Sequence, residues 1–432
     1  MIMTPLKTVL LDPVLKLGAD FPAWRRVGGG AGLAAALAAP QAIISTLEAA
    51  ELRGMGGAGF PTWRKWSAVV SAAGDDKVVV CNGNEDEPGT FKDRYLLRFT
   101  PHQVIEGTLI AAIAVKASEV IFYVNPHQAE GLEVMRRAVV EWTASDLLAA
   151  VETTVGRSIK LRVAPSAGRY VGGEETAIVS WLDGGFPFPQ RKPPYPFENG
   201  VGGRPTLINN VETLANVPHI LKNGANWYRA LGLGVAAGTK LFSLSGDVLR
   251  PGLYELPMGT SLQDLVFGHG GGMLDRRGFK AVFTGGPSNT LLTVHDLDVA
   301  LDFDSVQARR SRLGTGAMIV ISEGTSIVRK VAEYVAFFAN GSCGQCPSCK
   351  CGTFQMARLL ERIATGRGSG ADRKALEHLC SILPGSGRCA LIDGAVTVVK
   401  SSIETFPEEY PSQLRDVHDP GCRRQAASAC DR

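Results

Sequence analysis

The chain has 432 residues, too many for one ordinary core, so two or three domains are expected. Hydrophobic residues make up 45% and charged residues 20%, the balance of a globular protein, and a net charge of +3 is too mild to argue for nucleic acid or an anionic membrane surface as partner. No run reaches the roughly 18 consecutive apolar residues that a membrane span needs.

The opening stretch, MIMTPLKTVLLDPVLKLG, is interrupted by Lys7, Asp12, Pro13 and Lys16 and does not read as a secretory signal. The expectation is a cytoplasmic chain without direct membrane insertion. Thiols stay reduced there, so clustered cysteines point to metal binding or catalysis more than to disulfides. IISTLEAAEL reads as a helix, and RGMGGAGFPTWRKWS (53–67) follows it. The glycines at 54, 56 and 59 spell G-x-G-x-x-G, but a nicotinamide fingerprint should follow a strand. What remains is a loop in which Gly54, Gly56, Gly57 and Gly59 let backbone approach a flat or phosphorylated ligand. Pro61 suits a helix start, and Lys65 lies one turn on, within reach of an anion. A packing loop is the plain alternative.

From about 77 to 235 strands and helices alternate, which argues for an α/β layer fold. KVVVC (77–81) is a β-branched strand, 102–117 has helical spacing, EVIFYV (119–124) is a strand, 129–143 a helix, and SIKLRVA (158–164) a strand. The loop CNGNEDEPGTFKDR (81–94) places Asn82, Asn84, Glu85 and Glu87 at a strand end, where α/β sheets project ligand groups. A solvated acidic loop is the alternative. After SIKLRVA come Gly172 and Gly173, then Glu174 and Glu175 at a helix start. A carboxylate there suits a ribose diol, or else serves as a first-turn acid favoured by the dipole. LINNVETLANVP (207–218) adds Asn209 and Asn210. Asn209 and Glu212 could form a capping box, or the amides could read a heterocycle.

From 238 the texture changes. KLFSLSG, RPG and LYELP read as strand, turn, strand, SLQDLVF as a short helix and FKAVFTGG as another strand, so 238–322 is expected to be a small α+β domain. Four helical segments follow. In the first, Ile327, Val331, Val335 and Phe338 share a face and Gly341 is read as the stop; in the second, Phe354, Ala357, Leu360 and Ile363 share one. KALEHLCSIL and AVTVVKSSIETF complete a helix bundle. The stretch from about 411 is polar.

SCGQCPSCKCGTF (342–354) holds four of the chain's nine cysteines. Cys343, Cys346 and Cys349 form C-x2-C-x2-C, whose thiolates can each hold one iron of a cuboidal [4Fe–4S] cluster, leaving the fourth iron to a distant cysteine. Cys389, in the turn PGSGRCAL before a helix, is the choice. Cys380 reads as a buried apolar residue, and Cys351 as a neighbour. Thr353 is expected to N-cap the next helix, whose dipole would favour an anionic cluster. Structural zinc is the rival reading, although it usually wants two separated pairs.

Taken in order, RGMGGAGFPTWRKWS, CNGNEDEPGTFKDR, GGEETA, PTLINNVETLANVP and SCGQCPSC…CAL resemble the NADH-binding flavoprotein subunit of bacterial respiratory complex I. A similar subunit occurs in NAD-linked formate dehydrogenases and hydrogenases. The resemblance spans roughly residues 45 to 408. It implies a Rossmann-like FMN- and NADH-binding α/β domain (1–237), a β-grasp-like, ubiquitin-like domain (238–322), a helical-bundle [4Fe–4S] domain (323–410) and a polar tail (411–432). It implies hydride transfer from NADH to FMN, then single-electron transfer through the cluster to partners: a thioredoxin-like [2Fe–2S] subunit and a larger iron–sulfur subunit, peripheral on the cytoplasmic face of the inner membrane. On that pattern Gly54, Gly56, Gly57, Gly59, Lys65, Asn82, Asn84, Glu85, Gly173, Asn209 and Asn210 would cradle FMN. Phe60, Glu87, Glu175 and Tyr195 would contact NADH. Four positions depart from the family pattern: Asn84 for Asp, Ala68 for an aromatic, Met55 for Arg and Cys351 for Glu. The competing class is a non-catalytic nucleotide-binding module stapled by zinc, which would be colourless where a flavin and iron protein is yellow-brown.

Overall fold

The computed structural model describes residues 8–411, so the expected tail and its Cys422 and Cys430 lie outside the described residues. Helix α1 (Thr62–Ser71) leads into strand β1 (Lys77–Gly83); α2 (Asp93–Phe99) and α3 (Pro101–Val115) precede β2 (Ala117–Val124). Next come α4 (Ala129–Thr143), β3 (Lys160–Pro165), α5 (Glu175–Leu182), β4 (Thr206–Asn210) and α6 (Val211–Asn223). The four strands form one parallel sheet in the order β3-β2-β1-β4.

Parallel strands are buried on both faces, which is why β1 reads as an unbroken Val run. Val79 and Cys81 pack into the main core with α3, while Val78 and Val80 pack on the other side with Ile121, Ile208 and Ile178 of α5. Helix α3 is buried along almost its whole length; Pro101 opens it and Lys116, in the left-handed region, ends it.

Strands β5 (Thr239–Gly246), β6 (Gly252–Pro257), β7 (Phe279–Thr284), β8 (Leu292–Thr293) and β9 (Ala317–Ser322) build a mixed sheet in the order β6-β5-β9-β7-β8. The β5–β6 hairpin is antiparallel and the β5–β9 pair is parallel. This order, with the first and last strands side by side and parallel, is the β-grasp arrangement. Its period-2 alternation feeds two cores. Val282, Met318 and Val320 face the core shared with the first sheet; Ala281, Phe283, Ile319 and Ile321 face the C-terminal helices.

Helices α7 (Ile327–Gly341), α8 (Phe354–Ala364), α9 (Gly370–Ile382) and α10 (Leu391–Thr405) form the bundle. The α7 face of Ile327, Val331, Val335 and Phe338 is buried as expected, but Gly341 is the last helical residue, and Ser342 is the C-cap. The expected α8 face is rotated. Met356, Leu360 and Ile363 are buried, whereas Phe354 is 45% exposed. The reason lies upstream. Residues Ser348–Thr353 already form a wide helical turn that runs straight into α8, so the first turn belongs to the cysteine segment.

Candidate functional site

The first sheet reverses direction between β1 and β4: successive crossovers run from β1 to β2 and β3, while β4 lies on the other side. Ligands bind beyond the carboxyl ends of strands at such a point. Asn82 of β1 and Asn210 of β4 are register partners there. The Asn82 amide donates to Gly173 O (3.1 Å), and the Asn84 amide donates to Arg169 O (3.1 Å), which ties the post-β1 loop to the post-β3 loop. Asn84 is 2% exposed, and its Oδ1 is enclosed without a partner. A buried acceptor of that kind is costly unless a ligand satisfies it. Close backbone packing completes the cradle: a Cβ on Gly56 would lie 3.0 Å from Asn210 Cβ, and one on Gly173 would lie 3.2 Å from Asn84 Nδ2. Gly57 has φ +136° and open space where its Cβ would be, which suits close approach by a flat or phosphorylated group.

Other expected flavin contacts use their side chains within the protein. Glu85 accepts from Arg94 N (3.1 Å) and Arg94 Nε (2.7 Å) at the start of α2; burial, then the Asp93 carboxylate, push its acid up to about 7. Asn209 accepts from Trp66 Nε1 (2.8 Å) and does not cap α6. The cap is Asn210, whose Oδ1 accepts from Glu212 N (3.0 Å). Glu212, expected in a capping box, turns instead to Lys240 Nζ (2.6 Å) and Leu241 N (2.8 Å). The anion that Lys65 meets is Glu175, to which it is tightly bonded, and it also donates to Ile208 O (3.1 Å).

Beneath the cradle lies a charge network that sequence reasoning missed. Lys92 is fully buried, 2.7 Å from Asp93 Oδ1 and 3.0 Å from Glu212 Oε2, and donates to Asn210 Oδ1 (3.0 Å). Burial alone would lower its pKa, but Asp93 and Glu212 hold it above the ordinary lysine value. Lys240 donates to Glu212 and to Thr315 O (2.9 Å), and burial lowers it to about 8. The network pins α6 and α2 of the first sheet to β5 of the second. Lys92 and Asp93 stand inside GTFKDR, but no spacing rule marks a lysine for burial.

The expected NADH contacts divide. Glu87 faces the cavity with Oε1 enclosed and unpartnered. Burial pushes its acid up to about 7, with the Tyr170 hydroxyl and Ser288 opposing. Glu174 proves to be the N-cap, accepting from Thr176 N (2.9 Å) and Ala177 N (3.0 Å). Glu175 is held below the usual carboxylate range, against burial, by Lys65 and by Lys192 (3.1 Å). Phe60 and Tyr195 are 48% and 43% exposed, Tyr195 stacked on Phe197 at 5.4 Å.

Cys343, Cys346 and Cys349 come from the segment joining α7 to α8, and Cys389 from the turn before α10. Burial raises the Cys349 thiol to about 12, with Cys389, Cys346 and Cys343 adding to the effect; Cys389 rises to about 11, through burial first, then Glu174, Cys343 and Cys346. Cys349 and Cys389, from the two segments, thus each feel the neighbouring cysteine sites. Among the described residues no group of three or more His, Cys, Asp or Glu is drawn together at single-ion spacing. Four cysteines from two segments fit a group of several irons, whose binding removes their protons. Cys351 is exposed, and Cys380 is buried on α9. From the turn before α10, Arg388 N donates to Cys346 Sγ (3.4 Å), which ties the Cys389 segment to the C-x2-C-x2-C segment. Thr353 is itself helical and bonds back to Cys349 O (2.5 Å), so it caps nothing.

A cavity of ≈ 460 Å³ unites these parts. Gly56, Asn82, Asn84, Glu85, Glu87, Gly173, Asn210 and Cys389 line it. Gly54, Gly57, Gly59, Lys65, Asn209, Phe60, Glu175, Tyr195, Cys343, Cys346 and Cys349 do not. Tyr170, Ser288 and Thr315 are lining residues that sequence reasoning did not single out. Tyr170 also packs on Phe337 (5.4 Å) and Phe338 (5.5 Å) of α7, so it joins the cavity to the cysteine bundle.

Comparison with known proteins agrees with this arrangement. Residues 47–219 match the Nuo51 FMN-binding domain, 241–288 the SLBB domain, and 329–413 the NADH-ubiquinone oxidoreductase-F iron-sulfur binding region. An F-type NADH-quinone oxidoreductase subunit of Rhizobium meliloti (strain 1021) is 39% identical over 95% of this chain and 100% of its own length. The NADP-reducing hydrogenase subunit HndC of Solidesulfovibrio fructosivorans is 36% identical over 88% of this chain and 78% of its own length. Among solved structures, an NAD+-reducing [NiFe]-hydrogenase in the H2-reduced state superposes with a TM-score of 0.79 at 35% identity, covering 90% of this chain and 66% of that one. With an FMN-binding domain, a [4Fe–4S] region and a relative matched end to end, the chain belongs to the family of F-type NADH-quinone oxidoreductase subunits.

Proposed function

We propose that the ≈ 460 Å³ cavity is the place where NADH meets FMN, and that Cys389 is both a wall of that cavity and the exit for electrons. The observation that carries this is the shared wall: groups of the flavin domain and a cluster cysteine line the same space. FMN held here would supply hydride acceptance from NADH and one-electron release, and a [4Fe–4S] cluster would supply a one-electron carrier. The chain's own residues hold and orient. Gly56, Asn82, Asn84, Gly173 and Asn210 cradle the flavin, with Asn84 Oδ1 offering an acceptor to a ring N–H. Glu87, with its enclosed Oε1, offers an acceptor to the nicotinamide carboxamide. Glu175, kept ionised by two lysines and lying outside the cavity wall, would meet a ribose diol at the cavity's edge. Phe60 and Tyr195 lie outside the cavity wall and would serve the adenine end. Cys343, Cys346, Cys349 and Cys389 hold the cluster.

The division into 1–237, 238–322, 323–410 and a tail is part of this proposal, with the middle unit lending its two sheet faces to its neighbours' cores. The chain is a subunit of a multi-subunit oxidoreductase, and no single helix among the described residues is long and apolar enough to cross a membrane. The finer reading is a complex I subunit at the cytoplasmic face of the inner membrane, delivering electrons to a thioredoxin-like [2Fe–2S] subunit and a larger iron–sulfur subunit. The hydrogenase likeness supports a second reading, a diaphorase subunit of a hydrogenase. The test is direct. Purified protein should be yellow-brown, carry about one flavin and about four irons per chain, and reduce ferricyanide with NADH. Colourless protein holding zinc alone would overturn the proposal.

A further inference from the structure

The cavity is lopsided in charge. Six of its lining side chains are carboxylic: Glu85, Asp86, Glu87, Asp93, Glu174 and Asp393. Arg312 is the one basic side chain among its lining residues. Flavin mononucleotide and a nicotinamide dinucleotide both bring phosphate into this acid-walled space, and a phosphate there needs a cation. The nearby lysines are committed elsewhere. Lys65 and Lys192 are paired with Glu175, and Lys92 and Lys240 are buried against Asp93 and Glu212. Arg312 is exposed and, among the described residues, forms no ion pair and no side-chain hydrogen bond.

Its backbone, by contrast, is fixed. Preceding Ser311 is buried and donates to Thr290 O (2.6 Å). Following Leu313 is fully buried, and Gly314 lies so close to Gly285 that a Cβ on it would come within 2.6 Å of Gly285 Cα. Gly314 also bridges to Gly57, so the segment bearing Arg312 adjoins the glycine loop. A planar guanidinium carried by a rigid segment, set at a cavity of carboxylates and paired with none of them, matches two oxygens of an anion that is brought in by a ligand. We propose that Arg312 binds a phosphate group of the nucleotide occupying the cavity; this rests on the reading of the cavity as the flavin and NADH site.

Two sources share that chemistry, the FMN phosphate and the dinucleotide pyrophosphate, and one experiment separates them. Arg312→Met and Arg312→Lys are purified beside wild type. Flavin content is measured by fluorescence after acid release, and binding of ADP-ribose and of adenosine by calorimetry. If the partner is the pyrophosphate, Arg312→Met weakens ADP-ribose about tenfold to a hundredfold, Arg312→Lys recovers part, and adenosine binding and flavin content stay as in wild type. If it is the flavin phosphate, Arg312→Met loses flavin, Arg312→Lys retains more, and ADP-ribose binding is unchanged. The proposal is overturned if neither quantity moves, or if adenosine weakens as much as ADP-ribose. Because Arg312 is exposed and unpartnered, a variant that failed to fold would contradict the reading too. Wild type that held neither flavin nor ADP-ribose would sink the assignment of the cavity itself, a different outcome from failure at Arg312 alone.

Discussion

Replacing Glu87 by Gln separates this acid's cost to the fold from its use in the cavity. A Cβ on Gly286 would collide with Glu87 Oε1, so a glycine is needed where the loop closes over the carboxyl. Enclosure raises the acid from 4.5 to about 7. At about 1.4 kcal/mol per unit, that difference is a ceiling of about 3.5 kcal/mol, since the residue keeps some solvent contact. The direction follows from the order of ionisation. Below 4.5 the acid is protonated in both folded and unfolded chains and has no effect. Between 4.5 and about 7 the unfolded chain loses its proton first, so stability falls as pH rises, and above that window the loss is complete. Gln has nothing to titrate. Thermal unfolding at a fixed scan rate, with flavin and iron contents matched, should give equal midpoints for the two proteins near pH 4.5 and a higher midpoint for Glu87→Gln at about pH 8.5. Infrared difference spectra should show a protonated carboxyl band that persists to about pH 7 and is stronger in wild type than in Glu87→Gln, which keeps the band of Glu85. A midpoint gap independent of pH, or a carboxyl that ionises near 4.5, would refute the reasoning. NADH oxidation by Glu87→Gln should fall through KM, because an amide offers a weaker acceptor.

Four further outcomes are expected. Cys389→Ser should abolish the cluster's EPR signal while Cys351→Ser and Cys380→Ser keep it; an unchanged signal in Cys389→Ser would remove it from the ligand set. Gly57→Val, at φ +136°, should cost about 1–3 kcal/mol in the fold and yield flavin-poor protein; full flavin occupancy would count against the loop. Glu175→Gln should narrow the preference for NADH over NADPH by about tenfold to a hundredfold, the worth of a charged hydrogen bond, measured as kcat/KM with ferricyanide; an unaltered ratio clears Glu175 of that role. Lys92→Met strips the buried Asp93 carboxylate of its cation, while Glu212 keeps Lys240, and should destabilise the protein by about 3–5 kcal/mol in urea unfolding; Lys330→Met, which breaks only the half-exposed pair with Glu333, should cost under about 1 kcal/mol.

Much of the architecture was legible because it rests on period. The Val run of β1, the helix at 129–143 and the α7 face all follow from spacing, and the cysteine pattern marked the segment that matches an iron-sulfur binding region. Side-chain destinations were less legible. Asn209 and Asn210 are neighbours of the same type, yet one ties down Trp66 and the other caps α6 beside the cavity, because successive strand residues point to opposite faces. Phe354 has the right spacing for the α8 face, but the helix begins earlier than its capping signals suggest, so the buried stripe shifts to Met356. Lys92, Lys240, Tyr170 and Arg312 depend on contacts between segments far apart in the chain, which no local pattern encodes.

On the proposed reading of the cavity as the flavin site and of Cys389 as a cluster ligand, the shared wall also bears on biosynthesis. Residues 56, 82–93, 170–174 and 210 meet residues 288, 312–315 and 389–397 around one space. A nascent chain that has emerged only through the first sheet holds half a cradle, open to water on the side where Cys389, Leu391 and Asp393 will stand. Flavin taken up at that stage would exchange freely. Firm retention awaits the docking of α10, and that docking places Cys389 beside the other three thiols. Cluster delivery and flavin retention are therefore two readouts of one late assembly step, and a chain stalled before residue 389 should release both.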